Sequence, residues 1–359
     1  MRRFSRFNSA RNAAATMATL VAALLISGCA SDKEPARATT DAPSKVVIGV
    51  GGKYLANYAS LWAAHEEFSK IEKKYGTTIR YEEFSKGADA LYGMLGGSLQ
   101  LCVISPTNGL TAAASGKDVK YVAATYVGSG LMLIGAKKHE KTYGTDIKAF
   151  KGKSLGFYGP GFTQAVAKKV LESAGLSWDD VNPVALGSGG AFAPSLGQGR
   201  VDFAVADISV AVSAINQGAA YMVSNLNDPQ TGGKLVGDSL GVGMIYPGDF
   251  IKKYPNLAQD LVTGLIKGLS LVQGAGDDAA AVYALMPKEF KDVNRQESFT
   301  EQWPYLRPSF ASDGGFSDSQ IKGTLGLGDL DPKTLPSDYF DPTYVDEAYK
   351  SLGIQRPTN

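Results

Sequence analysis

Six short segments of the sequence combine small and hydroxyl-bearing residues with an occasional lysine, and most lie between an apolar stretch and a helix-like stretch. They span residues 51–54, 85–88, 105–108, 159–163, 187–190 and 207–209. A helix N-terminus attracts anions through its free backbone N–H groups, and glycine lets the backbone approach a ligand closely. We therefore expect a small anionic ligand to contact Lys53, Tyr54, Ser85, Lys86, Gly87, Ser105, Thr107, Asn108, Gly161, Phe162, Thr163, Ser188, Gly189, Gly190 and Asp207.

Each of these candidates also has a purely structural interpretation. Glycine and proline can simply form turns, serine and threonine can cap the next helix, and a lysine can be solvated. Asp207 can either face an amine on the ligand or cap a helix. Tyr54, Tyr58 and Phe162 offer rings that can stack on an organic ligand.

Residue combinations typical of catalysis are scarce. The histidines are His65, in a helix-like stretch beside Glu66 and Glu67, and His139, in a polar run. No Gly-Lys-Ser/Thr follows the glycine-rich segment 159–161, so it is not a phosphate-binding P-loop, and no serine-nucleophile elbow or metal-ligand spacing occurs. We expect no enzyme activity, no cofactor and no metal site.

Matched positions recur along the chain at a constant separation, which indicates an internal repeat. The pairs Gly87/Gly189, Gly97/Gly199, Ser105/Asp207 and Gly116/Gly218 are 102 residues apart, and Gly49/Gly156 and Gly52/Gly159 are 107 apart. In each copy, apolar strand-like runs alternate with helix-like runs, a pattern typical of parallel α/β sheets. The repeat predicts two similar α/β lobes.

Strand-like runs at 131–136 and 240–246 mark where the chain passes between the lobes, giving two hinge crossings. The first lobe is predicted to comprise residues 45–135 and 240–359, and the second residues 136–239. A long amphipathic helix is expected over 250–273. In open α/β sheets, ligands bind outside the carboxyl ends of the strands. The six segments of interest fall at those ends in both lobes.

The N-terminus reads as an export signal. Residues 1–28 have a basic start and a short apolar run, and Ile26-Ser27-Gly28-Cys29 resembles the lipobox at which bacterial lipoproteins are cleaved and lipidated on the cysteine. We expect a signal peptide over 1–28, a lipid (palmitate-type) anchor on Cys29, and a disordered tether over 29–44. The alternative is an ordinary signal peptide with an incidental cysteine.

The composition is that of a soluble globular protein. Hydrophobic residues make up 44% and charged residues 20% of the 359 positions, and the formal net charge of +1 gives no sign of nucleic-acid binding. Cys102, in an apolar run, is expected to be a buried core thiol. With Cys29 lipidated, no disulfide is possible within the mature chain.

The stretch 165–207 resembles the substrate-binding proteins of ABC importers for sulfonates, nitrate, taurine and related anions, the NMT1/THI5-like family. The resemblance rests on Ala174-Gly175-Leu176, Trp178-Asp179-Asp180-Val181, the run 196–204, Lys253-Tyr254-Pro255-Asn256-Leu257 and Tyr339-Phe340-Asp341-Pro342. It implies a type II periplasmic-binding fold, with two α/β lobes that close by a hinge around a ligand.

Three features depart from the family pattern. One is that the tyrosine-rich segments of the first lobe would suit a larger or aromatic organic acid. Where members often carry a Trp-Asp-Pro-like segment, this chain has Ala206-Asp207-Ile208, so only the acid is kept. Arginine is rare in the six segments, which weakens a bidentate clamp on a sulfonate or carboxylate.

The resemblance implies an exported, lipid-anchored protein that faces the periplasm or the outside. It would capture a small organic anion of the sulfonate or carboxylate type and deliver it to an ABC permease and its ATPase. Two alternatives remain: an enzyme of the thiamine-pyrimidine-synthase type on the same fold, and a ligand-sensing receptor for a signalling partner.

Overall fold

The computed structural model describes residues 41–52, 54–228, 231–311, 313–328, 332–334 and 336–357. The predicted signal peptide, Cys29, nearly all of the tether and Lys53 lie outside these ranges. The strands are β1 (Lys45–Val50), β2 (Thr78–Glu83), β3 (Leu101–Ile104), β4 (Val119–Val127), β5 (Leu131–Ala136), β6 (Ser154–Phe157), β7 (Asn182–Ala185), β8 (Phe203–Asp207), β9 (Ala220–Asn225) and β10 (Leu240–Pro247).

The helices contain most of the remaining residues. They are α1 (Ala59–Ala63), α2 (His65–Tyr75), α3 (Gly87–Leu95), α4 (Pro106–Ala114), α5 (Glu140–Tyr143), α6 (Phe162–Ser173), α7 (Phe192–Gly197), α8 (Ile208–Asn216), α9 (Gly232–Val236), α10 (Gly248–Lys253), α11 (Pro255–Ala275), α12 (Ala279–Ala284), α13 (Lys288–Val293), α14 (Gln296–Leu306), α15 (Asp318–Gly328) and α16 (Thr343–Leu352). The expected helix over 250–273 is divided in two, because Tyr254 leaves helical geometry and Pro255 starts α11.

Two mixed sheets form the centres of two α/β lobes, and they share one topology. The first has the strand order β2-β1-β3-β10-β4, and the second has the order β7-β6-β8-β5-β9. In each sheet the first three strands are parallel, and the fourth is antiparallel to both neighbours. Strand β3 is buried along its whole length, as expected for a strand covered on both faces.

The structure confirms the internal repeat at the level of individual contacts. Gly97 and Gly199 both adopt positive φ, at 80° and 73°. A Cβ on Gly87 would meet Asn108, and a Cβ on Gly189 would meet Val210. Asn108 and Val210 each follow their glycine by the same number of residues, so the contact is repeated in the two lobes. Equivalent glycines therefore occupy equivalent places in the two lobes.

The chain passes between the sheets at Gly128, Ser129 and Gly130, and it returns between β9 and β10. The predicted lobe boundary at residue 135 differs from the sheet pairing, because β5 pairs antiparallel with β8 and β9 and so belongs to the second sheet. The two crossing segments are tied together by hydrogen bonds. Gly130 N–H donates to Asn227 Oδ1 at 2.7 Å, and Gly128 N–H donates to the Ser239 carbonyl at 2.6 Å.

The helices that follow the second crossing contact both lobes. Helix α11 packs against α1, α2 and α16 on the first lobe, whereas α14 packs against α8 and α15 packs against both α4 and α6. Asn216 Nδ2 donates to Glu301 Oε2 at 2.6 Å across the α8–α14 contact. No helix among the described residues is both long and apolar enough to cross a bilayer.

The predicted core thiol is confirmed. Cys102 is a free cysteine with no exposed surface, and its Sγ lies 3.3 Å from the Ala90 carbonyl oxygen. Burial raises the pKa of the thiol to about 12, so it is protonated at neutral pH. Cys102 is therefore a packing residue.

Candidate functional site

A cavity of about 110 Å³ lies between the two lobes, at the carboxyl ends of their parallel strands. A water molecule needs roughly 10–15 Å³ on this measure, so the space admits a small organic molecule. We call it the interlobe cavity. It is lined by Gly51, Asn57, Tyr58, Ser85, Lys86, Gly87, Ala88, Ile104, Ser105, Asn108, Ser129, Tyr158, Gly159, Pro160, Gly161, Phe162, Thr163, Asp207, Gly241 and Val242.

Helices from both lobes begin at this cavity. Helices α3 and α4 start at its first-lobe wall, and α6 and α8 start at its second-lobe wall. Their N-terminal turns direct free N–H groups and positive dipole ends toward the same space. The helix dipoles of both lobes therefore favour a negative charge in the interlobe cavity, whereas the carboxyl of Asp207 in the second-lobe wall opposes it.

Nine of the predicted contact residues line the interlobe cavity. They are Ser85, Lys86, Gly87, Ser105, Asn108, Gly161, Phe162, Thr163 and Asp207. The pairs Gly87 with Gly161, and Ser105 with Asp207, come from opposite lobes, so the fold brings together positions far apart in the sequence.

Five other candidates lie outside the cavity wall, and Lys53 is not among the described residues. The Tyr54 ring packs on Trp62, with ring centroids 4.9 Å apart, and on Phe290. Thr107 Oγ1 is 2.9 Å from Ser105 Oγ and lines an adjoining groove instead. The remaining three, Ser188, Gly189 and Gly190, lie in the segment that leads into α7. A Cβ on Gly189 would meet Val210 and would lie 3.4 Å from the Tyr158 hydroxyl, so Gly189 is next to that hydroxyl without lining the cavity itself.

Several lining residues were not among the predicted contacts. Ser129 lies in the first crossing segment, and Gly241 and Val242 lie in β10, next to the second crossing. Asn57 and Tyr158 also line the wall, although no local motif marks either one. For the residues near the crossings, the available signal was the hinge prediction itself, because a ligand held between lobes also touches the segments that join them.

Asp207 carries negative charge into the second-lobe wall. It occupies the N-cap position of α8 but makes no side-chain capping hydrogen bond, so the helix-cap interpretation is not supported. Removal from water raises the pKa of its carboxyl, and a hydrogen bond from the Tyr158 hydroxyl partly offsets that rise. Burial raises the pKa of both Tyr58 and Tyr158, and the negative charge of Asp207 raises both further.

Lys86 carries positive charge into the first-lobe wall. It is the half-buried residue that precedes α3, and no ion pair is formed by its ammonium group among the described residues. A Cβ on Gly159 would lie 3.5 Å from Lys86 Nζ, so the lysine of one lobe reaches the glycine-rich segment of the other. This position is suited to an anion held between the lobes.

Asn57 and Tyr58 belong to the first-lobe wall, and Asn57 lies beside Gly130 of the first crossing segment. The Tyr58 hydroxyl accepts a hydrogen bond from Gly51 N–H at 3.1 Å, which leaves its own proton free to donate. Asn57 is only 8% exposed, and its side-chain oxygen has no hydrogen-bond partner in the structure. A buried acceptor without a hydrogen-bond donor lowers the stability of the folded protein unless another group donates to it.

A wider groove adjoins the interlobe cavity and shares five lining residues with it. Its volume is about 700 Å³, and its walls come from α3, α4, α6 and α15. Apolar side chains such as Leu91, Leu95 and Phe162 alternate there with Lys117 and Lys168.

The histidines lie away from the interlobe cavity. His139 Nε2 is 2.8 Å from Asp202 Oδ1, and Ser154 Oγ donates to the other carboxylate oxygen of Asp202 at 2.8 Å. In this arrangement the serine bonds to the acid and not to the histidine, so it is not a nucleophile–base pair. Within the described ranges, no group of three or more His, Cys, Asp or Glu side chains is placed to hold a metal ion.

Comparisons with known proteins are consistent with this geometry. Residues 73–275 match the family model described as NMT1/THI5 like. No curated protein is similar enough in sequence to count as a relative of this chain.

Solved structures with the same fold include a Bordetella bronchiseptica protein, at 20% identity and TM-score 0.72, covering 87% of this chain and 98% of its own. A second is a putative sulfonate ABC transporter's periplasmic sulfonate-binding protein from Methylobacillus flagellatus, at 16% identity and TM-score 0.64, covering 88% and 98%. A third is the desulfurization enzyme DSZB, at 13% identity and TM-score 0.55, covering 86% and 99%. At these identities the likeness establishes a shared periplasmic-binding fold.

Proposed function

Because the chain belongs to the NMT1/THI5-like family, we propose that it is the extracytoplasmic solute-binding lipoprotein of an ABC importer. It captures a small organic anion between its lobes and delivers it to a membrane permease driven by an ATPase. The anion is of the sulfonate or carboxylate type. The lipid on Cys29 holds the protein at the membrane surface.

One observation carries this proposal: a single cavity is walled by the starts of helices from both lobes. An anion there contacts N–H groups of α3 and α4 on one side and of α6 and α8 on the other. A ligand that touches both lobes favours the closed arrangement over the open one, and this difference in affinity drives hinge closure. A permease can then distinguish loaded from empty protein.

Catalysis is the main alternative, since the enzyme DSZB has the same fold. Among the described residues that line the interlobe cavity, the ionisable side chains are Lys86, Tyr58, Tyr158 and Asp207, and none is a histidine or cysteine. Incubating the purified protein with each compound that binds, followed by mass spectrometry, tests this alternative. Recovery of the unchanged compound supports transport, whereas a product would revive the enzyme hypothesis.

A thermal-shift screen tests the binding function. The panel contains alkyl and aryl sulfonates, carboxylates, phosphonates and nitrate, each with a neutral alcohol or amide of similar size as its control. A ligand at 100 times its Kd stabilises the folded state by about 2.7 kcal/mol, which corresponds to a rise in Tm of roughly 5 °C. If no anion shifts Tm more than its neutral control, the proposed ligand class is wrong.

Lipid anchoring is tested separately through Cys29. Cys29→Ser removes the thiol that would carry the lipid, so the protein should move from the membrane to the soluble extracytoplasmic fraction. The affinity for any anion found in the screen should not change, because Cys29 is far in sequence from every described residue that lines the interlobe cavity. Membrane retention of the serine variant would contradict the lipoprotein assignment.

A further inference from the structure

Helix α15 connects the lobes independently of the two crossing segments. It packs against α4 of the first lobe, against α6 of the second lobe and against β10. Helices α4 and α6 both begin at the interlobe cavity, on opposite walls. A helix that contacts both of them therefore affects how far apart the two walls lie.

The segment that contains α15 starts and ends on the first sheet. Before the helix, the Gly314 carbonyl accepts a hydrogen bond from Ala124 N–H of β4 at 2.7 Å. After the helix, the Tyr339 carbonyl accepts one from Tyr121 N–H of the same strand, also at 2.7 Å. Both ends of the segment are therefore fixed to the first lobe.

The middle of α15 is also tied to the first sheet. The Thr324 hydroxyl is buried, accepts a hydrogen bond from Leu240 N–H of β10 at 2.9 Å and donates to the Gln320 carbonyl at 2.6 Å. A Cβ on Gly323 would collide with the Asp238 carbonyl, so this turn of the helix lies directly on the second crossing segment. If the second lobe rotates away, α15 is held back with the first lobe.

The C-terminal end of α15 is nevertheless buried in the second lobe. Leu327 is only 4% exposed, and it belongs to a hydrophobic cluster that includes Val166 and Val170 of α6. All the other buried members of this cluster lie between residues 131 and 236. Because α15 is tied to the first sheet, separation of the lobes would withdraw the Leu327 side chain from this cluster and expose it to water.

We propose that α15 is an interlobe latch, in which Leu327 docks into the second lobe when the lobes close and leaves it when they open. Leu327 does not line the interlobe cavity, so it is a positioning residue that acts on a ligand through α6. A contact made only in the closed arrangement shifts the equilibrium toward closure, with or without a ligand. The latch goes beyond the proposed function, because it sets how often the empty protein closes and how slowly a bound ligand leaves.

The distance between the lobes in ligand-free protein tests the latch. The mature chain with Cys29→Ser carries spin labels at Tyr92→Cys and Glu172→Cys, two exposed positions that line the adjoining groove from opposite lobes. The remaining thiol, Cys102, is buried. In double electron–electron resonance, Leu327→Ala should lengthen the mean distance between the labels by more than about 4 Å, because side-chain contacts are lost beyond this range.

Leu325→Ala is the matched control, since Leu325 lies on the same helix but packs against the larger hydrophobic cluster, which contains the core of the first lobe. It should leave the distance unchanged, and so should Leu327→Met, which keeps an apolar side chain of similar volume. If circular dichroism shows that Leu327→Ala does not fold, Leu327→Val should give a smaller shift in the same direction. An unchanged distance in the folded alanine or valine variant, or an equal shift in Leu325→Ala, would overturn the latch.

Ligand kinetics give a second readout with any anion found in the screen. In stopped-flow measurements, Leu327→Ala should raise the dissociation rate constant at least about tenfold, or about 1.4 kcal/mol, while the association rate constant changes little. A change confined to the association rate constant would contradict the latch. If no anion binds, the proposed function is wrong, whereas the distance measurement still decides the latch.

Discussion

Replacing Lys86 with methionine is the sharpest test of how the cavity holds an anion. The substitution keeps an unbranched, slightly shorter side chain and removes the ammonium group with its charge and hydrogen-bond donors. No ion pair of Lys86 is lost, because none is formed among the described residues, so the folded protein should keep its stability. The Tm without ligand should therefore stay within about 2 °C of wild type, since isolated surface-type substitutions have small effects.

The expected loss of affinity follows from the position of the ammonium group. A Cβ on Gly159 would lie 3.5 Å from Lys86 Nζ, so this ammonium group reaches the opposite lobe's glycine-rich segment. An anion in contact with the ammonium group would be about 4 Å from it. Two opposite unit charges at this distance attract by about 4 kcal/mol at an effective dielectric constant of about 20. Part of that energy is offset by desolvation, which leaves roughly 2–3 kcal/mol, or about 30- to 150-fold in Kd.

Titration calorimetry with the tightest anion found in the screen measures the effect at low and moderate salt. Lys117→Met is the control, because it removes the same charge from an exposed position on the adjoining groove. The control should change Kd by no more than about threefold, and only at low salt, where long-range attraction is weakly screened. An equal loss in the two variants would show that the general field of the cleft, and not contact with Lys86, binds the anion.

Three further predictions concern stability. The pKa of Asp207 is raised in the folded state, so this group lowers the stability of the folded protein as pH rises above 3.8, the ordinary pKa of an aspartate. Asp207→Asn should therefore raise Tm at pH 7 but not at pH 3.5. A lower Tm at pH 7 would mean that the charged carboxyl is stabilising. Gly161→Ala should lower the free energy of unfolding, measured in urea, by about 1–3 kcal/mol, because the φ of Gly161 is 118°. Gly190→Ala is the control and should change it little, since that position also has open space around its Cβ but no positive φ. Tyr339→Phe should lower the free energy of unfolding by about 1–3 kcal/mol, because the buried Tyr339 hydroxyl donates to the Pro106 carbonyl at 2.7 Å. An unchanged urea midpoint would show that water replaces this hydrogen bond.

The repeat and the fold class were readable from the sequence because they depend on local requirements. A turn that needs positive φ selects glycine, so Gly97 and Gly199 mark the same turn in the two lobes. A strand covered on both faces needs a continuous apolar run, as in Leu101–Ile104. Both signals act over a few residues, and the constant spacing between copies made them visible.

The lobe boundary was predicted less accurately. The run 131–136 was recognised as a strand, but its sheet was not identified, since pairing partners lie far away in the sequence. In the structure, β5 fills the place in the second sheet that β10 fills in the first. An apolar strand carries no mark of which neighbour it will join.

The sequence alone indicated two α/β lobes and six candidate segments, five of which meet between the lobes, because glycine, strand and helix signals are short-range. The tertiary structure alone decided which side chains reach the shared space. In the structure Tyr54 packs against Trp62, whereas Asn57 and Tyr158 line the interlobe cavity. The side chain of Asp207 makes no capping hydrogen bond to α8. The place of Tyr54 is set by packing within the first lobe, including contact with Phe290, whereas the cavity wall is set by how the two lobes meet. Both kinds of contact join residues that are far apart in the chain.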